Sequence, residues 1–194
     1  AGADQDICVP TQPNAVTMAA STPVYPATGL WTINGAGTIA DPADPNTEVT
    51  DLQPGVSVLT WTIDNGPCGA PTSDEVPVVV HDAAAPAAAA GPDLQLCTPV
   101  GEIVMVGNAP QFPATGTWTV VSGPGALTDP ASPNSAVTGL ASGVSVLVWA
   151  IDNGACGTTT DTLTITVFDN TAATANAGDD LAFCDADGVD VVML

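Results

Sequence analysis

The chain has 194 residues, of which 21 are Asp or Glu, one is His and none is Lys or Arg, for a formal net charge of −21. Proteins neutralise nucleic-acid phosphates with Lys and Arg, so nucleic acid is excluded as a partner and anionic membranes are disfavoured; metal cations, cationic surfaces and salt remain as charge partners. Only 11% of residues are charged while 45% are hydrophobic, so this is no disordered polyacid, and no apolar run approaches the roughly 20 residues that cross a bilayer, so no membrane insertion is expected in this segment.

The opening Ala1-Gly2-Ala3-Asp4-Gln5-Asp6-Ile7-Cys8 has neither the basic region nor the apolar stretch of an export signal, which is expected to have been removed or to lie outside this sequence. Cys8 reads as standing at the start of a first strand, and Ala15-Val16-Thr17-Met18 reads as a second. Trp31 and Ile33 make an inward-facing pair. Leu59, Trp61 and Ile63 then alternate with Val58, Thr60 and Thr62, and Val76, Val78 and Val80 make a third inward set. Side chains that alternate in this way fit strands with one buried face. Asn34-Gly35, Asp41-Pro42, Asp44-Pro45-Asn46, Gln53-Pro54-Gly55 and Asp64-Asn65-Gly66 punctuate these runs as turns. The Ala-rich stretch from Ala83 to Ala90 is interrupted by Pro86 and reads as an extended linker rather than a helix.

From Ala90 the pattern starts again. Ala90-Gly91-Pro92-Asp93-Leu94-Gln95-Leu96-Cys97 repeats the opening, as does Ala177-Gly178-Asp179-Asp180-Leu181-Ala182-Phe183-Cys184, so that Cys8, Cys97 and Cys184 stand 89 and 87 residues apart. Trp31 and Trp118 are separated by 87 residues, Trp61 and Trp149 by 88, and Cys68 and Cys156 by 88. Trp118 with Val120, then Leu147 with Trp149 and Ile151, then Leu163 with Ile165 and Val167, reproduce the three inward sets. About seven short strands in each unit indicate an all-β fold of tandem sandwiches. The expected organisation is a first repeat over 1–82, a linker over 83–89, a second repeat over 90–169, a linker over 170–176 and the first strands of an incomplete third repeat over 177–194. Trp31, Trp61, Trp118 and Trp149 are the expected centres of the cores.

The motif series Ala-Gly-x-Asp…Cys, Thr-Gly-x-Trp-Thr, Asp-Pro-x-x-Pro-Asn, Gly-Val-Ser-Val-Leu-x-Trp and Asp-Asn-Gly-x-Cys-Gly resembles the immunoglobulin-like, PKD-like repeats of very large Bacteroidota surface proteins, including gliding-motility-type adhesins exported by type IX secretion. The resemblance covers the whole chain. It implies an immunoglobulin-like sandwich of about seven strands on the outer surface of a Gram-negative bacterium, with further repeats of the same or like chains as neighbours. Repeat two departs in carrying Thr117 where repeat one has Leu30, and Phe168 where it has His81.

Cysteines recurring at matched places in an exported context read as a disulfide framework, with Cys8 paired to Cys68 and Cys97 to Cys156 inside each repeat. The competing metal site is poorly served by two Cys per repeat and one His overall. Cys184 has no partner in this window, and one in the remainder of a third repeat is expected.

Catalysis is not expected. His81 is unrepeated and reads as a strand-end side chain, while Asp41 with Asp44, and Asp74 with Glu75, read as turn or surface carboxylates rather than a glycosidase pair. Asp82, Asp93, Asp169, Asp179 and Asp180 cluster at the repeat junctions and are candidates for Ca²⁺ sites, the alternative being ordinary solvated linker charge. Asp161-Thr162-Leu163 resembles a Bacteroidota O-glycosylation sequence, which nominates Thr162. The leading functional reading is a structural or adhesive stalk. A filament subunit assembling by strand complementation through the two orphan strands of the third repeat, the second of them Asp190–Leu194, is the first alternative, and a glycan- or protein-binding module with Tyr25 and Phe112 as handles in otherwise packed loops is the second.

Overall fold

The computed structural model describes residues 1–10, 14–171 and 174–178. Cys184, Asp179, Asp180 and the strands expected to serve filament assembly lie outside the described residues. The first domain contains β1 (Gln5–Val9), β2 (Val16–Thr17), β3 (Thr28–Asn34), β4 (Thr38–Ile39), β5 (Glu48–Thr50), β6 (Gly55–Asp64) and β7 (Thr72–Asp82). The second repeats them as β8 (Leu94–Cys97), β9 (Ile103–Val104), β10 (Thr115–Ser122), β11 (Ala126–Leu127), β12 (Ala136–Thr138), β13 (Gly143–Asp152) and β14 (Thr158–Phe168). Each domain packs a four-stranded sheet, β1-β7-β6-β3 or β8-β14-β13-β10, on a three-stranded one, β2-β5-β4 or β9-β12-β11. The fold is thus two consecutive seven-stranded immunoglobulin-like sandwiches.

The recurring motifs are the residues this packing requires. Trp31 lies opposite Trp61 across β3 and β6, and Trp118 opposite Trp149 across β10 and β13. In both pairs the ring centroids are 5.1 Å apart, within the range where tilted aromatic rings attract. All four rings are buried. Each Thr-Gly-x-Trp glycine leaves room for a ring from the next strand: a Cβ on Gly29 would stand 2.2 Å from Trp61, and one on Gly116 2.4 Å from Trp149. The serine of Gly-Val-Ser-Val-Leu ties the neighbouring turn, Ser57 Oγ donating to the Ala36 carbonyl at 2.7 Å and Ser145 Oγ to Pro124 at 2.6 Å. Valines at 76, 78 and 80, and Leu163, Ile165 and Val167, complete the inner faces.

One pairing determines where the cysteines go. β1 runs parallel to β7, with Cys8 opposite His81 and Val9 opposite Asp82, and β8 runs parallel to β14, with Cys97 opposite Phe168. The first strand of each domain therefore ends beside the end of its last strand, at the pole from which the chain leaves. The turn carrying Cys68 or Cys156 precedes β7 or β14 and lies at the opposite pole.

The segment 83–89 is strapped to the second domain. Ala88 N–H donates to Thr159 Oγ1 at 2.9 Å and Ala89 N–H to Asn108 Oδ1 at 2.8 Å, while Asn108 Nδ2 donates to the Ala87 carbonyl at 2.9 Å. Ala90 N–H donates to Asp161 Oδ2 at 2.8 Å. The same motif position in the first domain repeats that bond, with the Ala1 ammonium held by Asp74. That hydrogen bond, and the ammonium charge behind it, lower the Asp74 carboxyl below the usual carboxylate range. Among the described residues no helix is long and apolar enough to cross a membrane.

Candidate functional site

The densest chemistry in the molecule lies where the two sandwiches meet. The turn between β13 and β14 contains Asp152-Asn153-Gly154 and a short 3-10 turn over Gly154–Cys156. Asp152 Oδ1 accepts the Gly154 N–H at 3.1 Å, which fixes the turn and leaves the Asn153 side chain to project from it. This turn seats on the exit pole of the first domain.

There Cys156 is joined to Cys8 by a disulfide with a Cα–Cα distance of 4.9 Å and a sequence separation of 148. The expected intradomain bridges Cys8–Cys68 and Cys97–Cys156 are not formed; Cys68 and Cys97 are exposed thiols. The reason is the length of the last strand. Cys8 is level with His81 near the end of β7, whereas Cys68 precedes Thr72 at its start. Nine residues of extended chain at about 3.3 Å each place the poles roughly 30 Å apart, and a disulfide tolerates no more than about 7 Å between Cα atoms. Cys97 and Cys156 are separated by β14 in the same way.

Polar contacts surround the bridge. Asn153 Nδ2 donates to the Asp82 carbonyl at 2.8 Å, an assignment that turns Asn153 Oδ1 toward His81 Nδ1, 3.0 Å away. His81 Nε2 lies 3.2 Å from Asp6 Oδ1, which also accepts the Ala155 N–H at 3.4 Å. Both imidazole nitrogens thus face side-chain oxygens, one from each domain. His81 is 5% exposed. Gly154 packs on the flat of this ring: at φ +49 it occupies the left-handed region, and a Cβ there would stand 2.2 Å from His81 Nε2. His81 is a strand-end residue, and it is also the centre of an inter-domain polar network. The sequence carried a signal for this network, since Asn153 recurs as Asn65 in the Asp-Asn-Gly-x-Cys-Gly motif.

The remaining candidate carboxylates are engaged by local donors. Asp41 Oδ1 accepts the Ala43 N–H at 3.0 Å and Asp44 Oδ1 the Asn46 N–H at 2.8 Å, so both carboxylates cap turns. Asp82 Oδ1 accepts Ala84 N–H at 2.8 Å, and Asp93 Oδ1 accepts Thr164 N–H at 2.8 Å. Asp169 Oδ1 accepts both the backbone N–H of Thr171, at 2.8 Å, and its hydroxyl, at 2.7 Å. These two bonds, the backbone one first, hold the Asp169 carboxyl below the usual carboxylate range. Among the described residues no three His, Cys, Asp or Glu side chains converge in a manner that could hold a metal ion. Thr162 is exposed on β14 beside Asp161, whose carboxylate holds the linker.

Tyr25 and Phe112 occupy equivalent loops, each directly before a cis proline, and are 94% and 70% exposed. Both side chains nominated as binding handles are thus at the surface.

No protein-family model matches the chain, and no curated protein sequence does. Solved structures similar to it include the PKD domain from KIAA 1837 protein, at 22% identity over 46% of this chain and 92% of that one, with a TM-score of 0.39. The PKD domain (329-428) from human KIAA0319 is 18% identical over 50% of this chain and 88% of that one, with a TM-score of 0.36. Immunoglobulin domains 1–4 of Sidekick-1 are 12% identical over 86% of this chain and 47% of that one, with a TM-score of 0.47.

Proposed function

We propose that this chain is a segment of a stalk on the outer surface of a Gram-negative bacterium, in which sandwich repeats are locked end to end to hold an adhesive protein away from the cell. The observation that carries the reading is the Cys8–Cys156 bond between domains. A bridge inside each sandwich stabilises a fold, whereas a bridge between sandwiches fixes their relation, which is what a spacer of constant length and direction requires. Disulfides persist in oxidising compartments outside the cytosol, in keeping with export. The motif resemblance to Bacteroidota surface repeats supplies the proposed cellular setting. The carboxylates that a hydrolase could use are instead committed to turn caps and to the linker, and the lone His is sealed between domains, which supports a non-catalytic role.

The test is immunogold labelling of intact cells with antibody raised against this segment. Label on thin projections at the cell surface supports a stalk. Label confined to the periplasm or cytoplasm refutes it.

The exposed rings of Tyr25 and Phe112 favour a second role on the same stalk, as repeated contacts for a glycan or protein surface. Loss of glycan-array binding in the Tyr25→Ala, Phe112→Ala double variant, with melting unchanged, supports this role, and retained binding removes it.

A further inference from the structure

Cys68 and Cys97 are the counterparts of Cys156 and Cys8, and they sit at the two outer poles of the domain pair. Cys97 lies opposite Phe168 at the exit pole of the second domain, in the register that places Cys8 opposite His81. Cys68 ends a 3-10 turn over Gly66–Cys68 at the entry pole of the first domain, matching Gly154–Cys156 in the second. The Asp64 carboxylate fixes this turn by accepting Gly66 N–H at 2.7 Å, as Asp152 does for Gly154. Gly66 has the same left-handed backbone, at φ +62 against +49.

A second observation is burial. His81, covered by the Gly154 turn, is 5% exposed, whereas Phe168 at the equivalent place is 52% exposed. An aromatic face of the size that Gly154 covers in the first domain is thus presented to solvent in the second, directly beside an exposed thiol.

We propose that Cys68 and Cys97 are the outward-facing halves of the same inter-domain staple, and that their partners are the complementary halves on another repeat carrying the Asn-Gly-x-Cys turn. Cys97 bonds the turn cysteine of a following repeat, with that repeat's glycine lying on the Phe168 ring. Cys68 bonds the first-strand cysteine of a preceding repeat, with Asn65 donating to that repeat's last-strand carbonyl as Asn153 donates to Asp82. Gln95 stands where the first domain has Asp6 and Phe168 where it has His81, so the joint at Cys97 has a neutral amide and a phenyl ring where the joint at Cys8 has a carboxylate and an imidazole. The linkage requires an oxidant of the small-molecule disulfide class. One thiolate attacks that disulfide to give a mixed disulfide and release one small thiol; the second cysteine displaces the other small thiol. One S–S bond forms, one breaks, and the two cysteine protons leave on the released thiols.

The inference deepens the stalk reading and rests on it only for its cellular setting. It is tested with the 194-residue chain itself, a second copy serving as the probe. The Cys68→Ser, Cys184→Ser and Cys97→Ser, Cys184→Ser double variants, each keeping the Cys8–Cys156 bond, are mixed in an oxidised and reduced glutathione buffer and brought to exchange equilibrium. The expected result is a Cys97–Cys68 heterodimer in roughly tenfold or greater excess over the two homodimers, with Asn65→Ala lowering its yield by about 5-fold, the effect of one lost hydrogen bond. Heterodimers and homodimers in statistical proportion, or no dimer, overturn the proposal. Failure of surface labelling refutes the stalk but leaves this linkage standing.

Discussion

Replacing Cys156 by Ser removes the bridge between the domains while leaving all four β-sheets intact. In the loop-entropy model, a bond across 148 residues restricts the unfolded chain by about 5 kcal/mol. The other contacts at the junction, among them the Asn153–Asp82, His81–Asn153 and Ala155–Asp6 hydrogen bonds, contribute at about 1 kcal/mol each, so the bridge outweighs them. For a chain of this length each kcal/mol shifts the melting midpoint by about 2–4 °C, which gives a fall of about 10–20 °C by calorimetry. Cys8→Ser is expected to match it, and the double variant to be no worse than either single one, because both remove one interaction. The connectivity itself is read by mass spectrometry. Trypsin has no Lys or Arg to cut, but cleavage before Asp gives fragments 6–40, 64–73 and 152–160, which carry Cys8, Cys68 and Cys156. The unreduced digest should contain 6–40 joined to 152–160. Additive losses in the double variant, or 6–40 joined to 64–73, would refute the reasoning.

The two domains differ at a buried indole nitrogen: Trp118 Nε1 donates to the Pro133 carbonyl at 3.2 Å, whereas Trp31 Nε1 has no hydrogen-bond partner among the described residues. Trp118→Phe should therefore cost about 1 kcal/mol more than Trp31→Phe in denaturant unfolding, and equal costs would count against it. Gly154→Ala pushes a methyl group into His81 and should loosen the junction while each sandwich keeps its fold, seen as altered NMR shifts at Asp6, His81 and Asp82 with the Trp149 indole N–H unmoved. Because the Thr171 bonds depress the Asp169 pKa in the fold, their stabilisation is present above the unfolded carboxylate pKa and is lost as pH falls through the folded value. Thr171→Ala should raise the Asp169 midpoint in a carboxyl NMR titration, and an unchanged midpoint would remove that account.

The sandwiches were legible because a packed β core repeats its own constraints. Trp61 can cross β3 only over Gly29, Ser57 is needed where the chain turns at Ala36, and Asp41 caps the bend that returns the chain; each reappears about 88 residues later. Alternation then separates the face of Leu59, Trp61 and Ile63 from that of Val58, Thr60 and Thr62. The cysteine pairing was not legible from spacing, since equal spacing within repeats and between them looks the same in sequence. What decides it is the parallel pairing of β1 with β7, a contact between residues about 73 apart that carries no local signature. Nor was the role of His81 legible: its acceptors, Asp6 and Asn153, come from two domains and meet only once the poles are in contact.

The staple also changes how the chain carries tension. Force applied at the N-terminus enters β1, reaches Cys8, crosses to Cys156 and leaves through β14, so the 147 residues between the two cysteines lie outside the covalent line. Fully extended, that loop is worth roughly 500 Å of chain at about 3.4 Å per residue. Stretching single molecules between residues 1 and 178 should therefore release almost none of this length while the bridge is intact. After reduction the two sandwiches should unfold in separate steps that together recover it. Long unfolding steps from the oxidised chain would mean that the bond does not span the domains. An intradomain Cys8–Cys68 bond would still shield most of the first sandwich, but the second would pay out its length unless bridged as well, and the segment 83–89 would remain under load. Linking consecutive domains removes the linker from the line of force, a result that bridges confined to single sandwiches cannot produce.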